Sequence, residues 1–124
     1  MDCYNYRKMY VYQNAIELVK SIYQLLSLFP TKEQYNLCDQ LRRASVSIPS
    51  NIAEGMSRFS YKEKLHFIEI SYGSLMEVMC QLEISKELNY ISQEQLKNLE
   101  EKITVIAKQL SMLRKALTPK PNES

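Results

Sequence analysis

The sequence predicts an all-α protein, an up-down-up-down antiparallel four-helix bundle, and three observations support this. The 124 residues contain only two glycines and four prolines, which is typical of helices rather than of a turn-rich β fold. Four segments repeat apolar residues every three or four positions, which places those residues on one helix face. The connections are about two to five residues long, and loops this short make consecutive helices antiparallel.

The first predicted helix extends from about Val11 to Leu28 and follows an N-terminal segment, residues 1–10. Its apolar seam is Val11, Ala15, Leu18, Ile22, Leu25 and Phe29. The helix ends before Pro30, because the residue that precedes a proline disfavours helical dihedrals.

The second predicted helix begins at Thr31, where Gln34 has the spacing of a capping box, and extends to about residues 55–57. Pro49 lies inside it. Proline lacks the N–H that would bond the Ser45 carbonyl, so we expect a kink there.

The third predicted helix begins at Ser60, with Glu63 in the capping-box position, and ends near Leu88 with Asn89 as a left-handed cap. Its apolar face is unusually wide, and so is that of the first helix. Either these helices are central in the bundle, or another subunit covers part of them. We expect a homo-oligomer.

The fourth predicted helix begins at Ser92, with Gln95 completing its capping box. Its seam is a strict alternation of three and four residues: Leu96, Leu99, Ile103, Ile106, Leu110, Leu113 and Leu117. The bundle domain is therefore expected to span residues 11–117. Residues 118–124 are polar and interrupted by prolines, which predicts a disordered tail.

The net charge of +2 does not by itself indicate a nucleic-acid-binding protein, but the distribution is uneven. Residues 42–64 hold five basic and two acidic residues, which leaves 11 basic and 12 acidic residues elsewhere out of totals of 16 and 14. This basic focus predicts either a plain solvated face or a contact with phosphates. The candidate phosphate-binding residues are Arg42, Arg58, Lys62 and Lys64, with Arg114 and Lys115 as further candidates.

A continuous polar stripe runs beside the apolar seam of the second helix. Its members are Arg43, Ser47, Asn51, Glu54 and Arg58. Half-buried polar groups must bond one another or a ligand. One interpretation is a structural network in which Arg43 and Arg58 bracket Glu54. The other interpretation is that the arginines also contact phosphates or acidic groups of a partner.

Small residues at Gly55, Gly73 and Ser74 predict close packing of the second and third helices.

Nothing in the sequence indicates catalysis, a metal, a cofactor or a small-molecule substrate. Glu63 and His66 have the Glu-x-x-His spacing of di-iron bundles, but those sites need two such motifs and the chain has one histidine. No run approaches the ~20 apolar residues of a membrane span, and no signal peptide is apparent. Three widely spaced cysteines favour a reducing, cytoplasmic setting. The tyrosines at positions 4, 6, 10 and 12 are expected to pack rather than to stack on bases.

The segment Leu41-Arg-Arg-Ala-Ser-Val-Ser-Ile-Pro-Ser-Asn-Ile-Ala-Glu-Gly55, followed by Gly73-Ser-Leu-Met-Glu77, resembles a bacterial four-helix-bundle family. That family is encoded in intervening sequences of 23S ribosomal RNA genes and is related to the accessory variability proteins of diversity-generating retroelements. The resemblance covers about residues 7 to 117. The positions that match its motif are Arg42, Arg43, Ser47, Pro49, Asn51, Glu54, Gly55, Gly73, Ser74 and Glu77.

The resemblance implies a ring-shaped homopentamer, and the retroelement relatives bind nucleic acid and a reverse transcriptase through a basic surface. Two residues depart from the pattern: Tyr12 stands where tryptophan is frequent, and Tyr72 stands where a basic residue is expected. Two hypotheses follow. One is an accessory ring that binds RNA or DNA, and the other is a scaffold for a protein partner such as a reverse transcriptase or a ribosomal component.

Overall fold

The computed structural model describes residues 3–119, and within that range it confirms an all-α fold with four helices and no strand. The helices are α1 (Tyr10–Leu26), α2 (Leu37–Met56), α3 (Tyr61–Glu87) and α4 (Gln93–Leu117). Short 3₁₀ helices at Asn5–Lys8 and Thr31–Glu33 precede α1 and α2. The predicted tail falls largely on residues 120–124, which lie outside the described residues.

The core lies along the axis of the bundle, where one seam of each helix meets the other three. Leu18, Ile48, Leu75 and Ile106, one from each helix, are completely buried. The α4 seam predicted from the sequence is buried except at Leu113, which is half-buried. Neighbouring helices in the bundle are α1 with α2, α2 with α3, α3 with α4, and α4 with α1. The α1/α2 side of the molecule is therefore opposite its α3/α4 side.

Both ends of the α3–α4 connection follow the predicted capping chemistry. Asn89 has a φ of 64°, and the N–H groups of Asn89 and Tyr90 donate to the carbonyls of Lys86 and Ser85. This is a Schellman motif, which satisfies carbonyls that the helix end leaves unbonded. At the start of α4, Ser92 and Gln95 form the reciprocal capping box.

The predicted start of α2 is wrong. The helix begins at Leu37, and its N-cap residue Asn36 makes no side-chain capping bond. The Gln34 side-chain amide instead donates backwards to the carbonyls of Leu26 and Phe29, at 3.2 and 3.4 Å. Gln34 therefore satisfies the end of α1 rather than the start of α2. The capping box predicted from the spacing of Thr31 and Gln34 therefore does not form.

Helices α2 and α3 approach each other closely at small residues. A Cβ placed on Gly55 would lie 2.8 Å from the Cβ of Phe67, so only glycine allows this approach. The Ser71 hydroxyl, fully buried, donates to the Ile48 carbonyl at 2.9 Å. Pro49 follows directly, inside a helix that continues to Met56. The kink expected at Pro49 stays a prediction.

No helix within residues 3–119 combines the length and the apolar character needed to cross a membrane.

Candidate nucleic-acid interface

The four candidate phosphate-binding residues do not form one patch. Arg42 lies in the second turn of α2, whereas Arg58, Lys62 and Lys64 lie at the connection between α2 and α3. Sixteen residues separate Arg42 from Arg58, which is about 24 Å along a helix at 1.5 Å per residue. Arg42 therefore belongs to the opposite end of the bundle.

Arg42 has a structural partner. Its guanidinium donates to the backbone carbonyl of Gln34 at 2.6 Å and to the Gln34 side-chain oxygen at 3.4 Å. Gln34 in turn bonds the end of α1. Arg42 thus holds the α1–α2 connection in place, and both terminal nitrogens of its guanidinium are used in that contact.

Two cations beside the α2–α3 connection also have partners within the chain. Arg58 forms an ion pair with Glu54 at 2.9 Å, and its guanidinium lies 4.7 Å from the centre of the Phe67 ring. The Lys64 ammonium donates to the Met56 carbonyl at 3.0 Å, which satisfies an unbonded carbonyl at the end of α2. Lys62 is exposed, and no hydrogen bond or ion pair joins it to another residue of the described chain.

The antiparallel topology gathers basic residues that are far apart in the sequence. The 3₁₀ helix before α1, the α2–α3 connection and the last turn of α4 all lie at one end of the bundle. We call this the basic end and define it as residues 5–8, 54–69 and 114–119. Its basic residues are Arg7, Lys8, Arg58, Lys62, Lys64, Arg114 and Lys115.

The acidic residues of the basic end are Glu54, Glu63 and Glu69. Seven basic and three acidic residues give this end a net charge of +4, against +2 for the whole chain. The rest of the protein is therefore net acidic. Sequence reasoning missed Arg7 and Lys8, although two adjacent cations just before an antiparallel helix were a usable signal.

The predicted polar stripe divides into separate contacts. The hydroxyls of Ser47 and Ser74 are 2.8 Å apart, and the Asn51 amide donates to both the carbonyl and the hydroxyl of Ser47 at 2.8 Å. These three residues join α2 to α3. Glu54 pairs with Arg58 on the exposed side of α2 instead.

Arg43 does not bracket Glu54. Its side chain is 81% exposed, and its guanidinium pairs with Asp39 at 3.3 Å, one turn earlier in the same helix. A continuous helical stripe does not produce a continuous network here because each charged residue finds a partner four positions away.

The two glycines also differ: Gly55 faces Phe67, whereas a Cβ on Gly73 would meet nothing within 4 Å.

A second cluster lies at the other end of the bundle, where the two connections meet. The Tyr90 hydroxyl donates to the Glu33 carboxylate at 2.6 Å. This bond to a carboxylate, followed by burial, raises the pKa of Tyr90 above its ordinary value. Burial also raises the pKa of the nearby Cys38 thiol, against the opposing effect of Arg42. Such a thiol is a poor nucleophile.

The chain is similar to a known protein family over most of its length. The family described as "23S rRNA-intervening sequence protein" matches residues 7–112, most of the chain. The chain belongs to this family. No curated protein sequence matches it significantly.

A solved structure supports the fold of this family member. It is that of a protein of unknown function from the S23 ribosomal protein family of Bacteroides thetaiotaomicron. The two structures are similar with a TM-score of 0.79 over 85% of this chain and 98% of the other, at 24% identity. The part of the chain that matches the family includes the basic end except residues 5–6 and 114–119.

The di-iron spacing predicted from the sequence is that of Glu63 and His66 on α3. His66 is exposed, and the centre of its ring lies 5.4 Å from the centre of the Phe67 ring. Among residues 3–119 no three His, Cys, Asp or Glu side chains are grouped as metal ligands would be.

Proposed function

We propose that this protein is a non-enzymatic cytoplasmic accessory factor that assembles as a homopentameric ring and binds the phosphates of RNA or DNA through its basic end. The observation that carries the proposal is the concentration of seven basic against three acidic residues at one end of a bundle that is net acidic elsewhere. In a ring whose copies point the same way, this local charge of +4 is repeated in every copy. A polyanion would therefore meet a large positive surface.

Contacts with phosphates fix a protein on nucleic acid without reading its sequence. The residues best placed for this are the exposed Lys8, Lys62 and Lys115, which have no partner in the described chain. Arg58 and Lys64 contribute charge while serving other contacts. Arg42 is not part of this surface, since it lies at the opposite end and holds Gln34.

Two apolar grooves support the oligomer. One lies between α1 and α2 and includes Ile16, Val46 and Pro49. The other, of about 550 Å³, lies between α3 and α4 and includes Tyr72, Met76 and Met112. In the single chain Ile16, Tyr72, Met76 and Met112 are at least 36% exposed. Two different grooves on opposite sides suit a heterologous contact, and such contacts form a ring when the rotation between copies closes.

The decisive experiment is retention of the purified oligomer on RNA and on DNA at about 50 mM and about 200 mM salt. Binding that depends on several phosphate contacts should fall at least tenfold between these conditions. Absence of retention at about 50 mM salt would refute the nucleic-acid part of the proposal.

Charge reversal identifies the surface. The double variant Lys62→Glu/Lys115→Glu should abolish retention, because it changes the charge of the basic end by four units. The matched control is Lys97→Glu/Lys102→Glu on α4, far from the basic end. Because the control removes the hydrogen bond from Lys102 to Ser21, circular dichroism must show that both double variants remain folded. Equal loss in both variants would show that net charge, and not the basic end, governs binding.

The second candidate is a scaffold for a protein partner, such as a reverse transcriptase or a ribosomal component. The extent of the exposed α3/α4 groove favours it, because large apolar patches mark interaction sites. Light scattering that gives a ring mass, combined with no nucleic-acid retention, is the outcome that this candidate predicts. A monomeric mass would refute the ring in both candidates.

A further inference from the structure

We infer that the basic end binds single-stranded nucleic acid, with bases stacked on Phe59 and Tyr61. This inference rests on the proposed function, because the cations there hold the phosphates. It adds a preference for strands whose bases are unpaired. The basis is a pair of exposed aromatic rings in the connection between α2 and α3, flanked on both sides by cations.

Phe59 is the most exposed large apolar residue of the described chain, with 100% of its surface in water, and Tyr61 is 62% exposed. The other two phenylalanines behave differently, since Phe29 is 5% exposed and Phe67 is half-buried. A four-residue connection, 57–60, has no packing need for an aromatic ring, and connections are usually polar.

The connection that carries Phe59 is braced from both helices. The Ser60 hydroxyl accepts the N–H of Glu63 at 3.1 Å and so caps α3. Lys64 bonds the Met56 carbonyl, and the Arg58 N–H donates to the Gly55 carbonyl at 3.1 Å. The exposed ring is therefore presented on a fixed turn, which lowers the entropy lost when a ligand binds.

The cations stand next to the rings in the sequence. Arg58 precedes Phe59, and Lys62 follows Tyr61. A basic groove interleaved with aromatic rings is the arrangement by which proteins hold single strands, because every base has a face that can stack. A duplex offers its phosphates but hides those faces. This arrangement therefore favours unpaired strands.

An anionic membrane surface also attracts cations beside exposed apolar residues. Aromatic rings suit either surface, so the difference lies in the remaining apolar area that could enter lipid. Among residues 3–10 and 54–69, every exposed large hydrophobic residue is aromatic, namely Tyr4, Tyr10, Phe59 and Tyr61. Three of the four carry a hydroxyl, and within these two ranges no large aliphatic side chain is exposed to enter lipid.

The test compares three fluorescent probes of about 15 nucleotides at about 50 mM salt: oligo(dT), an abasic strand with the same phosphates, and a duplex. Because stacking contributes about five- to 150-fold per base, oligo(dT) should bind at least about fivefold more tightly than the abasic strand. Phe59→Ala should reduce the affinity for oligo(dT) at least fivefold and leave the affinity for the abasic strand unchanged. Because Phe59 makes no buried contact, the variant should melt at the wild-type temperature.

The matched control is Tyr35→Ala, which removes a ring that is 90% exposed at the opposite end of the bundle. It should bind all three probes as the wild type does. Lys62→Glu should weaken the binding of oligo(dT) and of the abasic strand to the same extent.

The failures of the two proposals are distinguishable. If Lys62→Glu weakens binding but oligo(dT) and the abasic strand bind equally, stacking is refuted and phosphate binding stands. If no probe binds, both proposals are refuted. If vesicles containing phosphatidylserine retain the protein in a Phe59-dependent manner while oligo(dT) does not bind, the surface is a membrane contact and the inference is wrong.

Discussion

The Ser71 hydroxyl of α3 donates to the Ile48 carbonyl of α2, and the residue that follows Ile48 is Pro49. The bond therefore fixes the α2 backbone from the neighbouring helix just where proline removes a hydrogen bond of the helix itself. Since Ser71 is completely buried, its hydroxyl has no water to bond instead.

Ser71→Ala should lower the free energy of unfolding by about 1 kcal/mol, because it removes this interhelical bond. Ser85→Ala is the control. Ser85 is equally buried on the same helix, but its hydroxyl bonds Gln81 within α3. That variant should be neutral or slightly stabilising, since such a bond contributes little and alanine favours helix. Urea denaturation of both variants measures the difference in their free energies of unfolding. Equal losses would contradict a stabilising role for the interhelical hydrogen bond of Ser71.

Gly55→Ala should lower the free energy of unfolding by about 1–2 kcal/mol. The new methyl group would lie 2.8 Å from the Phe67 Cβ and 3.2 Å from the Lys64 carbonyl oxygen, which outweighs the higher helix propensity of alanine. Gly73→Ala makes the same change where nothing lies within 4 Å and should raise stability by about 0.5–1 kcal/mol. Thermal melts compare the two. A destabilised Gly73→Ala would place another subunit against that position.

Tyr90→Phe should lower the melting temperature at pH 8, because it removes the hydrogen bond to Glu33. The pKa of Tyr90 is raised in the folded state, so its contribution is complete below the ordinary tyrosine pKa of about 10 and is lost as the pH rises through the higher folded value. The difference in melting temperature between wild type and variant should therefore shrink above about pH 10. A difference that stays constant to pH 11 would contradict this linkage.

Cys38 should resist thiol reagents in the native protein. It is fully buried and its pKa is raised by burial, whereas Cys3 and Cys80 are exposed. With Ellman's reagent at pH 8, Cys38 should react more than about a hundredfold more slowly than Cys3, because it becomes accessible only when the bundle opens. In about 6 M guanidinium all three thiols should react alike. Rapid native labelling of Cys38, located by peptide mass, would disprove its burial.

The local chemistry of several elements could be predicted from the sequence. The Ser92–Gln95 capping box, the left-handed Asn89 and the α4 seam depend on residues within a few positions of one another. Thr31 and Gln34 show the limit of that reasoning. The capping box predicted from their spacing does not form, because Gln34 bonds backwards to α1, and only the path of the chain through the α1–α2 connection determines that.

The sequence by itself determined the number of helices, their order and the face that each buries, because helical periodicity and capping act over less than two turns. The tertiary structure decided which charges act together. It removed Arg42 from the phosphate-binding candidates, paired Arg43 with Asp39, and placed Arg7 and Lys8 at the same end of the bundle as Lys62. The physical reason is that a surface potential depends on distances in space, and antiparallel packing places residues of distant segments at the same end of the bundle.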